Sequence, residues 1–423
     1  MSEHLRGMVD RRVMELVQAR LDEEQVILLE GPRSVGKSTL LRNVADKAGV
    51  QVIDLDDVAT RDSVAADPGS FVAGPSPVCI DEYQKAPIVL DAIKAELNRD
   101  GRPGRFVLAG STRHDSLPTT AQALTGRLHR LHVYPLSQGE LSGTSERLIA
   151  SMFEDAEGAV SELPTSETSR EDYISRVVGG GFPIALSRSA PGSRNRWFDD
   201  YLKLTLERDV RELSHVRQGV ALPRLLARLA GQTAQLLNIA RAASDIGLDE
   251  RTADGYARLL ESVFLLQRLP AWGTTLTARA ASRPKVHVLD SGVAARLLRL
   301  TPEKLARRDS TSLTEFGHLL ETFCVGELLK QASWLDDIAG FGHWRTRDGD
   351  EVDLVLERDD GCIVAFEMKA SSRVPGSDFG PLRKLRAAAG DAFLAGAVLY
   401  LGQRSYTFED RLHVMPVDRI WRT

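Results

Sequence analysis

The sequence predicts an α/β chain: a parallel-sheet domain first, a helical middle module, then a second α/β domain. Three observations predict it. Short apolar runs alternate with helical patterns over the first 140 residues, which is the pattern of a parallel sheet covered on both faces. Helical spacing dominates the middle of the chain. Two adjacent strand-length runs, Val352 to Leu356 and Ile363 to Lys369, follow a helix near the end. The 423 residues are 43% hydrophobic and 27% charged, enough to bury several cores and too apolar for a disordered tail protein. A net charge of -5 argues against a dominant non-specific nucleic-acid surface, though not against a local one. Cys79, Cys324 and Cys362 are far apart and match no metal spacing, so free thiols in a reducing cytoplasm are expected. No apolar run approaches eighteen residues, and the first residues, MSEHLRGMVDRR, lack an apolar signal core, so no membrane association is expected.

Met8 to Leu21 mixes charged and apolar residues at helical spacing and predicts a lead-in helix. The run Gln25 to Leu40, QVILLEGPRSVGKSTL, reads as buried strand, glycine-rich turn and helix start. Gly31 to Ser38 fits G-x-x-x-x-G-K-[ST] at every fixed position. Polyphosphate needs many donors close together. Gly31 and Gly36 let the backbone curl so that the N–H groups of Ser34, Val35, Gly36, Lys37, Ser38 and Thr39 can converge. The new helix adds its positive end, Lys37 can reach the β- and γ-phosphates, and Ser38 can place a hydroxyl on Mg²⁺. ATP and Mg²⁺ are therefore the expected ligands.

Val52 to Leu55 predicts a second strand, and Val78 to Glu82 an apolar strand ending in two acids. Asp81 is expected to hold the Mg²⁺ shell and Glu82 to activate the attacking water. Phe106 to Ala109 is the next strand. Ser111 or Thr112 behind it can sense the γ-phosphate or simply cap the loop. Arg130 to Tyr134 closes the sheet. Arg127 before it can touch phosphate, in its own or a neighbouring subunit, or lie solvated.

Ser142 to Asp172 is acidic and Ser/Thr-rich and reads as a surface connector. Arg194 to Leu213 is helical. Arg208 within it is expected to pair with neighbouring acids, with the nucleotide or a domain interface as the other options. Helices over Leu222 to Leu237, Asn238 to Ile246 and, capped by Asp249, through Ser262, with a strand at Phe264 to Trp272, give a winged-helix-like order. Arg251 and Arg258 could read DNA from the third helix, but Glu250, Asp254 and Glu261 share it. Packing against a neighbouring domain is the favoured expectation.

In the last part, Leu319 to Leu329 predicts a helix carrying Glu321 and Glu327. A hairpin follows at Asp348-Gly349. Asp353 lies on one strand, and Glu367 and Lys369, two apart, share one face of the next. Glu327, Asp353 and Glu367 are expected to bind one or two Mg²⁺, and Lys369 to orient water or stabilise phosphate charge. Phe379 to Ala389 is a helix, and Phe393 to Leu401 a buried strand.

GPRSVGKST, CIDEYQKAP, LAGSTRHD, LTGRLHRLHVYPLSQGE, GGFP at Gly180 to Pro183 and LERDV at Leu206 to Val210 together resemble a large group of prokaryotic AAA+-type ATPases. The C-terminal half of that family is a domain of unknown function with a nuclease-like fold. The Asp, Glu-x-Lys order here looks like its PD-(D/E)xK, restriction-endonuclease-like core. The resemblance runs from about Gln25 to near the end. It implies an ATPase closer to signal-transduction NTPases than to a processive motor. The expected division is a P-loop ATPase domain over 1–140, a connector and helical segment over 141–215, a winged-helix-like module over 216–290 and the nuclease-like domain over 291–423. DNA or RNA, a protein partner or a second copy of the chain are the expected macromolecular partners. The C-terminal domain can be a nuclease controlled by nucleotide state, or an inactive binding module.

Overall fold

The computed structural model describes residues 9–116, 124–161, 164–210, 221–273, 275 and 283–422. Met8, and residues 211–213 of the expected helix, lie outside these residues.

Five strands form the first sheet: β1 (Val26–Glu30), β2 (Val52–Asp54), β3 (Val78–Asp81), β4 (Phe106–Gly110) and β5 (Leu128–His132). Their order is β2-β3-β4-β1-β5, and every pairing is parallel. The run VILLE is apolar without alternation because helices cover both faces, and its first four residues are buried. Parallel strands put all their C-terminal ends on one edge, where ligands of such sheets bind. The turns after β1, β3 and β4 therefore meet there.

The middle module runs helix Ala221–Ala230, β6 (Gln235–Leu236), helix Ile239–Ser244, helix Glu250–Ser262, β7 (Leu266–Leu269) and β8 (Lys285–Val288). The Leu222 to Leu237 helix of the sequence reading is shorter, because Gly231 ends it and β6 follows. β6, β8 and β7 make a small antiparallel sheet in that order. Asn238 and Asp249 cap the two helices by accepting from Arg241 N and Thr252 N, as capping chemistry requires.

The third sheet holds β9 (Ile338–Arg345), β10 (Glu351–Arg358), β11 (Ile363–Lys369), β12 (Phe393–Tyr400), β13 (Tyr406–Glu409) and β14 (Leu412–Pro416), in the order β13-β14-β12-β11-β10-β9. β9 and β10 form the expected hairpin, with Gly349 at φ +96° in its turn. Helix Gly380–Ala389 crosses over between the parallel pair β11 and β12. The long helix Ser310–Ala332 packs beneath and is buried on most sides.

One expectation fails outright. Ser142 to Asp172 is not a surface excursion. Helices Leu148–Glu154 and Ala156–Ser161 bury Leu148, Ile149, Met152, Phe153 and Val160 against the C-terminal sheet. Ser166 and Thr168 both donate to buried Asp418 at 2.7 Å. Trp421, fully buried, packs edge-on against Tyr173 and Phe323. Packing also runs across residue 290. Helix Ser291–Leu297 lies against helix Arg170–Gly179, and Asp290 accepts from Gly181 N at 2.7 Å.

Candidate functional site

Gly31 follows β1 at a point where any side chain is excluded: a Cβ there would lie 2.2 Å from Val133 O. Gly36 takes φ +101° and leads directly into helix Lys37–Ala48. Ser34 also sits at positive φ, +63°, within the curled turn. The backbone of Ser34 to Thr39 is thus a nest opening at a helix N-terminus. Arg11, just before the first helix, Arg12–Leu21, braces this turn from outside. It donates to Val35 O at 2.6 Å and Tyr134 O at 2.7 Å, and pairs with Glu140.

Lys37 is buried, and its Nζ donates to Gly31 O at 2.9 Å and Pro32 O at 2.8 Å. Burial pulls its pKa down to about 8, against the opposing attraction of Glu82 and Asp81. Burial raises the Asp81 carboxyl, and a hydrogen bond with the Ser38 side chain works against that rise. The two expected Mg²⁺ ligands, Ser38 and Asp81, are therefore in contact. A hydroxyl and a carboxylate side by side, next to a polyphosphate nest, fit a cation that keeps most of its water.

Glu82 stands at φ +51°, a strained conformation for a non-glycine residue, and one found at functional positions. Its Oε2 accepts from Ser111 Oγ at 2.9 Å and from Gln84 Nε2. Ser111 thus joins the site through Glu82. Arg33, inside the turn, lies 3.5 Å from Glu82 Oε1 and is gripped by both oxygens of Asp209, at 2.7 and 2.8 Å. Burial would lower the Arg33 pKa, but Glu82 and Asp209 raise it. Asp209 ends a π-helical turn, Thr205–Asp209, and is almost fully buried. Such turns are frequent at functional sites. Arg208 beside it pairs with Asp56 of the first domain at 3.4 Å, an acid far from it in sequence rather than one of its neighbours in the chain.

A cavity of about 440 Å³ borders Gly36 and Thr39 and is walled by Val9, Arg11, Met14, Leu40, Leu136 and Pro183. Gly181 lets this wall close, since a Cβ there would lie 2.4 Å from Leu136 O. The GGFP and LERDV motifs thus both end at the nucleotide side of the sheet. Sequence reasoning missed Arg11, Asp209 and this cavity.

Arg127 is not brought to the site. It precedes β5, whose first residue pairs with the first residue of β1, so it lies on the opposite edge of the sheet. It donates to Asn98 Oδ1 at 2.9 Å.

The second acid cluster departs further from expectation. The β10–β11 register sets Asp353 opposite Glu367, and Lys369 pairs with Glu367 at 2.7 Å, as expected. Glu327 is elsewhere. It accepts from Gln138 N at 2.7 Å and pairs with Lys330, which donates to Leu136 O, so it joins the long helix to the first domain. Glu321 reaches the cluster instead, drawn there by Lys285 of β8. Burial raises the Glu367 carboxyl to about 8, with repulsion from Asp353 adding to it and Lys369 opposing. Among the described residues no group of three or more His, Cys, Asp or Glu side chains is arranged to hold a metal ion.

Arg251 stands exposed in the first turn of helix Glu250–Ser262, while acids of that helix take up the charge of the other arginines there. Arg258 pairs with Asp254, and Arg268 of β7 pairs with Asp254 and Glu261. Ser262 O accepts from Arg113 N, just past β4, at 2.9 Å, which ties the C-terminal edge of the sheet to this module. No helix among the described residues is long and apolar enough to cross a membrane.

Residues 23–142 match a family described as an AAA domain, so the first domain is an AAA-type P-loop domain. Residues 170–304 and 316–420 match two domains of unknown function, DUF8612 and DUF4143. Uncharacterised proteins of Mycobacterium tuberculosis and Mycobacterium bovis are each 28% identical over 407 residues, covering 95% of this chain and 82% of theirs. Among solved structures, a Walker-type ATPase of Pyrococcus abyssi aligns at 14% identity with a TM-score of 0.42, over 69% of this chain and 96% of its own. AMPPCP-bound DnaA of Aquifex aeolicus aligns at 14% identity with a TM-score of 0.28, over 61% of this chain and 90% of its own.

Proposed function

We propose that the chain binds ATP with Mg²⁺ and hydrolyses it, and that the nucleotide state is passed to the two following modules. The observation that carries this reading is the meeting of Lys37, Ser38, Asp81, Glu82 and Ser111 at one edge of the first sheet. Lys37 exchanges its two carbonyl acceptors for phosphate oxygens. Ser38 and Asp81 would hold Mg²⁺, which would supply charge neutralisation on the phosphates. Glu82, fixed by Ser111 and Gln84, accepts the proton of the attacking water. The cavity walled by Met14, Leu40, Leu136 and Pro183 takes the nucleobase.

Three routes lead out of the site. Asp209 links Arg33 to the middle helices, and Arg113 links the end of β4 to Ser262. The segment Leu136 to Glu140 adds the joint to the long helix through Glu327 and Lys330. In this reading the C-terminal domain is the output, engaging DNA, RNA or a protein partner, alone or in a homo-oligomer. A second reading makes that output a bare binding module, and the pairing of its acids with Lys285 favours it over a metal-dependent nuclease. Phosphate release from ATP by wild type, Lys37→Ala and Glu82→Gln tests the ATPase reading. Turnover in wild type that both variants lose supports it, and turnover unchanged in Lys37→Ala would remove it. A cleavage assay on DNA and RNA with Mg²⁺ or Mn²⁺, beside Asp353→Ala, separates the two outputs.

A further inference from the structure

Lys285 stands in a strand, KVHV, whose four residues are all buried. A lysine is rarely fully buried unless paired. This one is 1% exposed, and its Nζ lies 2.5 Å from Glu351 Oε1, 2.6 Å from Glu321 Oε1 and 2.9 Å from Asp353 Oδ1. Burial works to lower its pKa, yet the acids around it, Asp353 first, raise it well above the usual lysine value and keep the ammonium charged.

The residues of this cluster do not fit a divalent cation as they stand. Both oxygens of Asp353 are engaged: Oδ1 by Lys285 and Oδ2 by Met368 N at 2.9 Å. Glu351 gives Oε1 to Lys285 and Oε2 to Arg345, Glu321 gives Oε1 to Lys285, and Glu367 gives Oε1 to Lys369 while its buried Oε2 has no hydrogen-bond partner. What these pairings leave open falls short of the oxygens a hard cation takes from protein and water together. Glu327, the helix acid assigned to the metal by sequence order, is committed to the first domain.

A second observation shows that Lys285 is built in rather than resting there. The segment next to β7 is stitched to β9 by Trp272 N to His343 O at 2.7 Å and His343 N to Pro270 O at 2.9 Å. Trp272 Nε1 donates to Glu357 Oε2 at 2.7 Å. Gly342 is required at this seam, since a Cβ there would lie 2.5 Å from Pro270 O. His343 Nε2 also meets Arg283 O, two residues before the lysine.

We infer that Lys285 is an internal cation standing where a nuclease-like core would carry its divalent metal, and that it fastens the middle module to the C-terminal sheet. The C-terminal domain then moves with the middle module as one output body and cleaves no phosphodiester by a metal route. The inference does not depend on the ATPase reading, because its test needs no nucleotide.

The full-length chain is titrated with Mn²⁺ by calorimetry without nucleotide, beside Asp353→Asn and Glu367→Gln. Wild type is expected to show no Mn²⁺ binding that either substitution removes. Binding in wild type that Asp353→Asn or Glu367→Gln abolishes would overturn the inference. Lys285→Ala leaves Glu321, Glu351 and Asp353 crowded without a cation. In that variant Mn²⁺ is expected to bind and to raise the unfolding temperature, while wild type is unmoved. A folded Lys285→Ala protein that ignores Mn²⁺ would also overturn it. Should that variant fail to fold, the wild-type titration decides alone.

Discussion

The chain carries two sites of similar ingredients and opposite state. Each sets acids at or near strand ends and brings a buried lysine to them. In the first, Lys37 spends its hydrogen bonds on two backbone carbonyls, Gly31 O and Pro32 O, and its pKa falls to about 8. Such a lysine gains by meeting a phosphate. In the second, Lys285 is saturated by three carboxylates and held charged. The lesson is that residue types do not define a site. What matters is whether the charges are already spent on each other or held ready for a ligand.

The contrast breaks most visibly at Lys37. Lys37→Ala is expected to cut ATP turnover by ~10³-fold through loss of a buried charge donor to phosphate. Phosphate release under saturating ATP checks it. Next in size, Glu82→Gln keeps the fold and ATP binding but lowers turnover by ~10²-fold, because no base remains at that position. Single-turnover kinetics with bound ATP separate the two effects. Asp209→Ala sharpens the comparison at a distance. It leaves Arg33 beside Glu82 without its second partner and is expected to lower turnover by ~10-fold and stability by ~1–3 kcal/mol. Denaturant melts together with turnover test it.

Smaller still is a pH effect at the domain joint. Burial, with Glu327 nearby, raises the Glu146 carboxyl to about 8 from 4.5. A carboxyl raised on folding stabilises the fold below its unfolded value and loses that contribution as pH climbs toward the folded value. The wild-type unfolding temperature should therefore fall between about pH 4.5 and 8, and Glu146→Gln should flatten that fall. Arg127→Ala closes the series. Its turnover should match wild type within about twofold, since an exposed contact to Asn98 at the far edge of the sheet contributes little.

The first site was largely legible because its chemistry is local. Eight consecutive residues, Gly31 to Ser38, carry the phosphate-loop motif, and Asp81 and Glu82 follow one another at the end of one strand. The second was legible only in its strands. Glu321 and Glu327 are six positions apart on one helix, about 600° of rotation, so they face different neighbours. Nothing in the order of residues said which face met β10. Lys285 left a faint signal, a lysine at the head of the apolar run KVHVL, but its three partners lie on other elements. Asp209 lies inside the LERDV motif, where nothing in the residue order marks it above Arg208. Arg127 could have been placed from sequence, because a residue just before a parallel strand belongs to the edge away from the ligand. In Ser142 to Asp172 the acidic composition outweighed Leu148, Ile149, Met152 and Phe153, whose spacing marks a buried helix face.

The most direct test of the central claim sets ATP binding and phosphate release side by side in wild type and Glu82→Gln. The account predicts equal affinity for Mg²⁺-ATP in the two proteins and turnover in wild type alone. Equal turnover in both, or no ATP binding in either, would contradict it.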